Sequence, residues 1–151
     1  VKPFKGAGKA RDVFLTIAQR RRLLAAAEGR FRLLLEAGLL TGARYGELRE
    51  LLVSDFDARR KLLHIRTSKT GERFVPLSDA AVKTFRECAK SKLPAAHLMT
   101  RDDGQPWAHS DQDDLMRAAV KAAKLPAGSV FYTLRHTFIA TQLEAGLDVL
   151  S

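Results

Sequence analysis

Apolar residues recur at helical spacing as far as Leu52, then change to the dense apolar pattern of short strands between Lys61 and Leu77. Helical spacing returns from Ser78 onward. A chain with one such interruption folds as helices, a small antiparallel sheet and more helices, which is the α+β class, mostly helical. Lys61–Arg66 and Arg73–Leu77 are read as two strands rich in Leu, Ile, Phe and Val. Ser68-Lys69-Thr70-Gly71 between them supplies turn chemistry, which makes a β-hairpin, and Phe56 adds a first strand to give three.

The helices are bounded by local signals. Thr16 and Gln19 have capping-box spacing, predicting a helix from Ile17 to about Glu28. Phe31–Leu40 is apolar on nearly every side and is expected to be a core helix, broken by Gly42. Ala43–Leu52 carries Leu48, Leu51 and Leu52 at helical spacing. Ser78 is read as the cap of a helix ending near Lys90, with Ala81, Phe85 and Cys88 on its inner face. Pro94, Asp103-Gly104 and Pro106 mark a long loop, and Ser110 is expected to cap a helix to about Lys124 with Leu115, Ala119 and Ala122 inside. Thr133 opens a last helix that carries Leu134, Phe138, Ile139 and Leu143 and closes at Gly146, with Asp148 capping another. Residues 1–14, basic and containing glycine, read as a linker or arm, and residues 15–151 as one domain.

Charge narrows the function classes. The 26 Lys and Arg against 17 Asp and Glu give a net charge of +9, which points to a polyanion, nucleic acid before membrane. No apolar run is long enough to span a bilayer, and no apolar segment follows Lys2, Lys5 and Lys9 as a signal peptide requires. Cys88 is the single cysteine, so the chain forms no internal disulfide and suits a reducing cytoplasm. A chain starting at Val1 is expected to be a fragment. The run Arg20-Arg21-Arg22 is read as a solvated face, with a phosphate-facing edge as the alternative.

Arg44 and Arg135 each lie in or beside the first turn of a predicted helix. A cation there opposes the helix dipole, whereas a bound anion would reverse the sign and use the free N–H groups. Two guanidiniums on one phosphate would form forked, charge-assisted bonds. From this argument alone, ordinary surface arginines are as good a reading.

Thr41-Gly42-Ala43-Arg44-Tyr45-Gly46-Glu47-Leu48, followed by Leu51, resembles the first arginine box of the tyrosine recombinases, the phage integrase family. Thr133-Leu134-Arg135-His136-Thr137-Phe138, followed by Ala140-Thr141 and Gly146, resembles the second. Ile65-Arg66-Thr67-Ser68-Lys69-Thr70-Gly71, with Val75-Pro76-Leu77-Ser78, is similar to the family's lysine hairpin, and the three matches occur in family order.

The resemblance implies a recombinase catalytic domain that cuts and rejoins duplex DNA through a 3′-phosphotyrosyl link, without metal, ATP or other cofactor. It implies that Arg44 and Arg135 stabilise charge on the phosphate and that Lys69 protonates the leaving 5′-oxygen. Glu47, one turn after Arg44, would orient it. Tyr132 stands where the family usually has His, and a phenol is a poor base near neutral pH, so base catalysis there is in doubt. His136 matches a histidine that often follows the second arginine, with a structural histidine as the equal alternative. Arg66 and Arg73 are assigned to DNA binding. The nucleophilic tyrosine is expected beyond Ser151, since Tyr45 and Tyr132 both sit inside arginine boxes and Tyr45 should point into packing. The chain as given should therefore bind DNA without cleaving it. In the complete protein a homo-oligomer on DNA is expected, located in the cytoplasm on a bacterial nucleoid or in a phage-infected host.

Two other readings stand beside this one. A metal-dependent nuclease would need converging carboxylates, for which only Asp102, Asp103, Asp111, Asp113 and Asp114 offer themselves. A non-catalytic DNA-binding module, such as a decayed integrase or a helix-turn-helix regulator, would also suit the charge. It would have no need of Lys69 together with both arginine boxes.

Overall fold

A computed structural model describes residues 13–66 and 71–150, with the side chains of the last helix to residue 145. Among the described residues six helices and one small sheet follow in the order α1 (Ile17–Ala25), α2 (Gly29–Thr41), α3 (Tyr45–Glu50), β1 (Phe56–Asp57), β2 (Leu62–Ile65), β3 (Arg73–Pro76), α4 (Asp79–Ala89), α5 (Gln112–Ala122) and α6 (Phe131–Leu150). A 3-10 turn, Val53–Asp55, leads into β1.

The centre is α2. It buries Phe31, Leu34, Leu35, Ala37, Gly38 and Thr41 and packs against α4 and α6, as an all-round apolar helix must. Gly38 permits the approach of α6: a Cβ there would lie 3.0 Å from Leu134 Cδ1 and 3.2 Å from Phe131 Cζ. The sheet is antiparallel in the order β1-β2-β3, with Leu63 opposite Val75 and Ile65 opposite Arg73. Leu63 and Ile65 face the core, while Phe74 on the edge strand is exposed.

Local capping signals are realised where the partner is local. Thr16 accepts from Gln19 N–H at 3.1 Å and Gln19 reaches back to Thr16 N–H at 2.8 Å. Ser78 accepts from Ala81 N–H, opening α4 over Ala81, Phe85 and Cys88, all buried. Arg22, from the triple-arginine run, donates from Nε to the carbonyl of Ala123 at 2.9 Å and so caps the C-terminal end of α5.

Three expectations are corrected. Helix α5 begins at Gln112 rather than on a Ser110 cap, because Asp111 binds Ala108 N–H at 2.8 Å and Arg101 Nη1 at 3.0 Å, which fixes the turn before it. Its inner face is Met116 and Ala119, with Ala123 buried just past its end, leaving Leu115 and Ala122 exposed. Helix α6 begins at Phe131, with Thr133 Oγ1 reaching back to Val130 N–H at 2.9 Å, and runs through Gly146 and Asp148 to Leu150. A helical glycine costs only about 1 kcal/mol relative to alanine, too little to end a helix by itself. Its inner stripe is Phe131, Leu134 and the threonines Thr133 and Thr137, so Ile139 and Leu143 remain exposed. Buried hydroxyls are tolerated there because Thr137 donates to Thr133 C=O at 2.8 Å.

The described end of the expected arm is packed rather than free: Val13 lies against the core and the Phe14 ring against His136. Leu15 N–H then donates to Thr137 Oγ1 at 3.1 Å. No helix among the described residues is long and apolar enough to cross a membrane.

Candidate active site

The site is built on the turn between α2 and α3. Thr41 closes α2 by donating to Ala37 C=O at 2.7 Å and accepting from Ala43 N–H at 3.1 Å. Gly42 adopts φ +71°, a left-handed conformation that disfavours any side chain. A Cβ at Gly42 would also lie 2.4 Å from Phe138 Cδ2 on α6, so the turn and α6 are in close contact here. Ala43 is buried, and Arg44 follows as the N-cap of α3, in extended conformation.

Two arginines come together at this turn. Arg135 Nη1 donates to the Gly42 carbonyl at 2.7 Å. Arg44, two residues further on, donates its backbone N–H to Glu47 Oε1 at 2.9 Å, and its Nη1 lies 3.5 Å from Glu47 Oε2. Glu47 is 4% exposed and also binds Arg73 as a fork, Nη1 to Oε2 at 2.7 Å and Nη2 to Oε1 at 3.0 Å. The Glu47 hydrogen bond raises the affinity of the Arg73 guanidinium for its proton above an already high ordinary value. Two guanidiniums, those of Arg44 and Arg73, thus meet one carboxylate, leaving positive charge in excess. Arg73 and Arg135 share the walls of a cleft of about 400 Å³ between β3 and α6, with Thr41, Phe138 and Gln142. Such a cleft suits a phosphate, whose oxygens can take forked donors from more than one side.

The other anticipated residues are placed as follows. Lys69 lies outside the described residues, on the connection between β2 and β3. Tyr132 is 45% exposed on α6, one turn before Arg135. His136 turns its ring onto Phe14, centroids 4.6 Å apart, and its Nδ1 is buried without a hydrogen-bond partner among the described residues. Tyr45 points into packing, with its ring edge 5.4 Å from Phe131 and its hydroxyl donating to Ala108 C=O. Burial, with Asp111 nearby, pushes the Tyr45 phenol up to about 12.

Arg66 and Arg73, expected on DNA, are each placed on a carboxylate. Arg66 forks onto Asp55, Nε to Oδ1 at 2.8 Å and Nη2 to Oδ2 at 2.9 Å, and Nη2 also reaches Glu50 C=O at 3.3 Å. Asp55 and Glu47 as partners of these arginines escaped the sequence reading. The only sequence signal was an acid flanked by core positions, Val53-Ser54-Asp55-Phe56 and Glu47-Leu48, which marks a buried carboxylate without naming its cation. The aspartates offered for a metal are engaged elsewhere: Asp102 holds Arg30 N–H, while Asp103 and Asp111 hold Arg101. Among the described residues no three His, Cys, Asp or Glu side chains form a group that could hold a metal ion.

Comparison with known proteins adds the family context. The phage integrase family model matches residues 13–150. Tyrosine recombinase XerD of Corynebacterium glutamicum is 31% identical over 126 residues, covering 80% of this chain and 41% of that protein. The crystal structure of XerA recombinase superposes with a TM-score of 0.75 at 25% identity, covering 89% of this chain and 50% of that one. A lambda integrase tetramer bound to a Holliday junction gives 0.69 at 25% identity, covering 85% of this chain and 41% of that one. The chain therefore spans half or less of the length of each of these relatives.

Proposed function

We propose, since this chain belongs to the phage integrase family, that it supplies the phosphate-binding part of a site-specific DNA recombinase that cuts and rejoins duplex DNA through a 3′-phosphotyrosyl intermediate. The observation that carries the reading is the Arg135 bond to the Gly42 carbonyl, which brings an arginine 91 positions away to the turn that presents Arg44.

The chemistry follows from that placement. A tyrosine oxygen attacks phosphorus, the bond from phosphorus to the 5′-oxygen breaks, and a 3′-phosphotyrosyl ester forms. Arg44 and Arg135 meet the negative charge that builds on the non-bridging oxygens. Lys69 gives its proton to the departing 5′-oxygen, leaving a 5′-hydroxyl, and the reverse step by a second DNA end restores the diester and the tyrosine. Neither oxidant nor nucleotide is consumed. Tyr132, exposed one turn before Arg135, is suited to donate a hydrogen bond to a phosphate oxygen. Its partners would be duplex DNA and further copies of the protein on it, as the lambda integrase tetramer assembles on a Holliday junction. A cytoplasmic location on DNA goes with this reading, and residues 15–151 would belong to its catalytic domain, without the part that carries the nucleophile.

A nicked duplex that traps the cleaved state tests this. A protein extended to include the downstream tyrosine should form a covalent adduct, lost on Arg44→Ala or Arg135→Ala. The 151-residue chain should bind the same duplex and form none. An extended protein that binds but never forms an adduct would instead be the non-catalytic binder, and an adduct mapped to Tyr132 would reassign the nucleophile.

A further inference from the structure

We propose that the cleft between α5 and the α1–α2 junction is a docking site for a peptide segment of a partner protein, one carrying both basic and large apolar side chains. It is separate from the phosphate site, since no residue lining this cleft lines the one that Arg73 and Arg135 share.

The cleft holds about 710 Å³ and has an apolar lining beneath an acidic rim. Its floor is Phe31 and Trp107, both buried, with ring centroids 6.2 Å apart. One wall is α5, which contributes Leu115, Ala118 and Ala122. These recur at i, i+3 and i+7, on one face of the helix. That spacing is the mark of an inner face, yet Leu115 is 45% exposed and both alanines are exposed too. Helix α5 therefore has a second apolar face that nothing in the described chain covers. Alanine at two of the three positions leaves room for another backbone to come close.

The rim sets the sign of the partner. Glu28, Asp102, Asp103 and Asp111 stand there against one cation, Arg101, on a chain whose net charge is +9. Arg101 is already shared between Asp103 at 2.9 Å and Asp111 at 3.0 Å. Glu28 and Asp102 meet no cation among the described residues. Asp102 Oδ1 accepts the Arg30 backbone N–H at 2.8 Å, and Glu28, though it is the N-cap of α2, makes no capping bond. Such a rim repels DNA and attracts a cation.

Unused donors narrow the class further. Trp107 Nε1 and Arg101 Nε are buried and have no acceptor among the described residues. A buried N–H without an acceptor is costly, and a main-chain carbonyl is the commonest acceptor a partner can bring. A polyamine offers cations without carbonyls, and no group of three metal ligands exists among the described residues. A peptide brings cation, carbonyl and apolar side chain together. Arginine suits the rim best, because its fork matches a carboxylate.

The test measures binding of a fluorescein-labelled, end-capped decapeptide of alternating arginine and leucine to this chain by fluorescence anisotropy, with NMR amide shifts to locate it. The shifts should cluster on α5, on the α1–α2 junction and on residues 101–107. Glu28→Gln combined with Asp102→Asn removes both unpaired charges, while asparagine keeps an acceptor for Arg30 N–H. Affinity should then fall roughly tenfold. Leu115→Ser, at a half-exposed position that opens no cavity, should weaken binding about fivefold and leave the urea midpoint unchanged. A peptide with serine in place of leucine should bind more weakly still, which separates docking from plain charge attraction. No binding up to about 1 mM peptide, unchanged affinity in both variants, or shifts centred on another surface would overturn the proposal. Two other occupants are decided with the same proteins. If sedimentation shows this chain self-associating and the double variant not, a second copy fills the cleft and the proposal fails. If the protein extended to include the downstream tyrosine no longer binds the peptide, its own chain covers the cleft and the proposal fails likewise.

Discussion

Arg135 and Gly42 are joined by a 2.7 Å hydrogen bond from Nη1 to the main-chain carbonyl, so the second arginine is steadied by the turn that presents the first. One donor of the fork is used for self-positioning, and in the proposed reaction the other edge would meet the phosphate. Arg135→Lys keeps the charge but cannot serve both. In the protein extended to the nucleophile, its single-turnover cleavage rate should fall on the order of 10²–10³-fold while DNA affinity changes little. A Lys variant that cleaves at the parent rate would remove the need for the fork.

Gly42→Ala addresses the same turn through stability. The new Cβ would meet Phe138 at 2.4 Å in a backbone conformation with φ +71°. Urea unfolding of this chain should show a loss of roughly 2–4 kcal/mol from strain and overpacking together. By contrast Gly46, with nothing within 4 Å of its added Cβ, should accept alanine without loss.

Asp55 makes stability depend on acid. Burial pushes its carboxyl up, but the Arg66 fork and the Leu52 N–H outweigh burial and hold it below the ordinary carboxylate range. A depressed folded value means that the stabilisation is fully present above the unfolded value of about 3.9 and is lost as pH falls through the folded value. Urea midpoints measured from pH 7 to pH 2.5 should therefore drop in the acid limb. Asp55→Asn should start lower at pH 7 and drop less. An unchanged acid limb in the variant would assign the loss to other carboxylates.

Binding of duplex DNA by this chain should weaken steeply with salt. Several cations are already engaged internally: Arg22 on α5, Arg66 on Asp55, Arg73 on Glu47, and Lys92 on the His97 and Leu98 carbonyls. The +9 net charge therefore overstates the surface offered to DNA. If about four phosphates are neutralised, affinity should fall roughly 10²-fold between 50 and 200 mM salt, read by fluorescence anisotropy. Salt-independent binding would refute a phosphate-led interface.

What could be read from the sequence was what is decided locally. The Thr16–Gln19 box, the Ser78 cap, the Gly42 break and the three short strands each depend on residues within a turn or two. Helix α5 was misplaced because its start depends on Arg101, ten positions from Asp111. Gly146 was read as a stop because glycine's weak helix penalty was given more weight than the helix around it. The Arg66–Asp55 and Arg73–Glu47 forks were missed because charges carry no period: 11 and 26 positions separate the partners, and only the sheet and α3 bring them together. The bearing of Arg44 and Arg135 on one another came from motif resemblance, because nothing local to either residue points at the other.

The two forks also lock the sheet against sliding. Arg66, just past β2, holds the turn before β1, and Arg73, opening β3, holds α3, so a shift of the sheet along its strands would break one pair or the other. A one-residue insertion in the exposed turn between β1 and β2, around Arg59 and Arg60, leaves both pairs in place and would be taken up by solvent-facing backbone. Related chains should let the length of that turn drift.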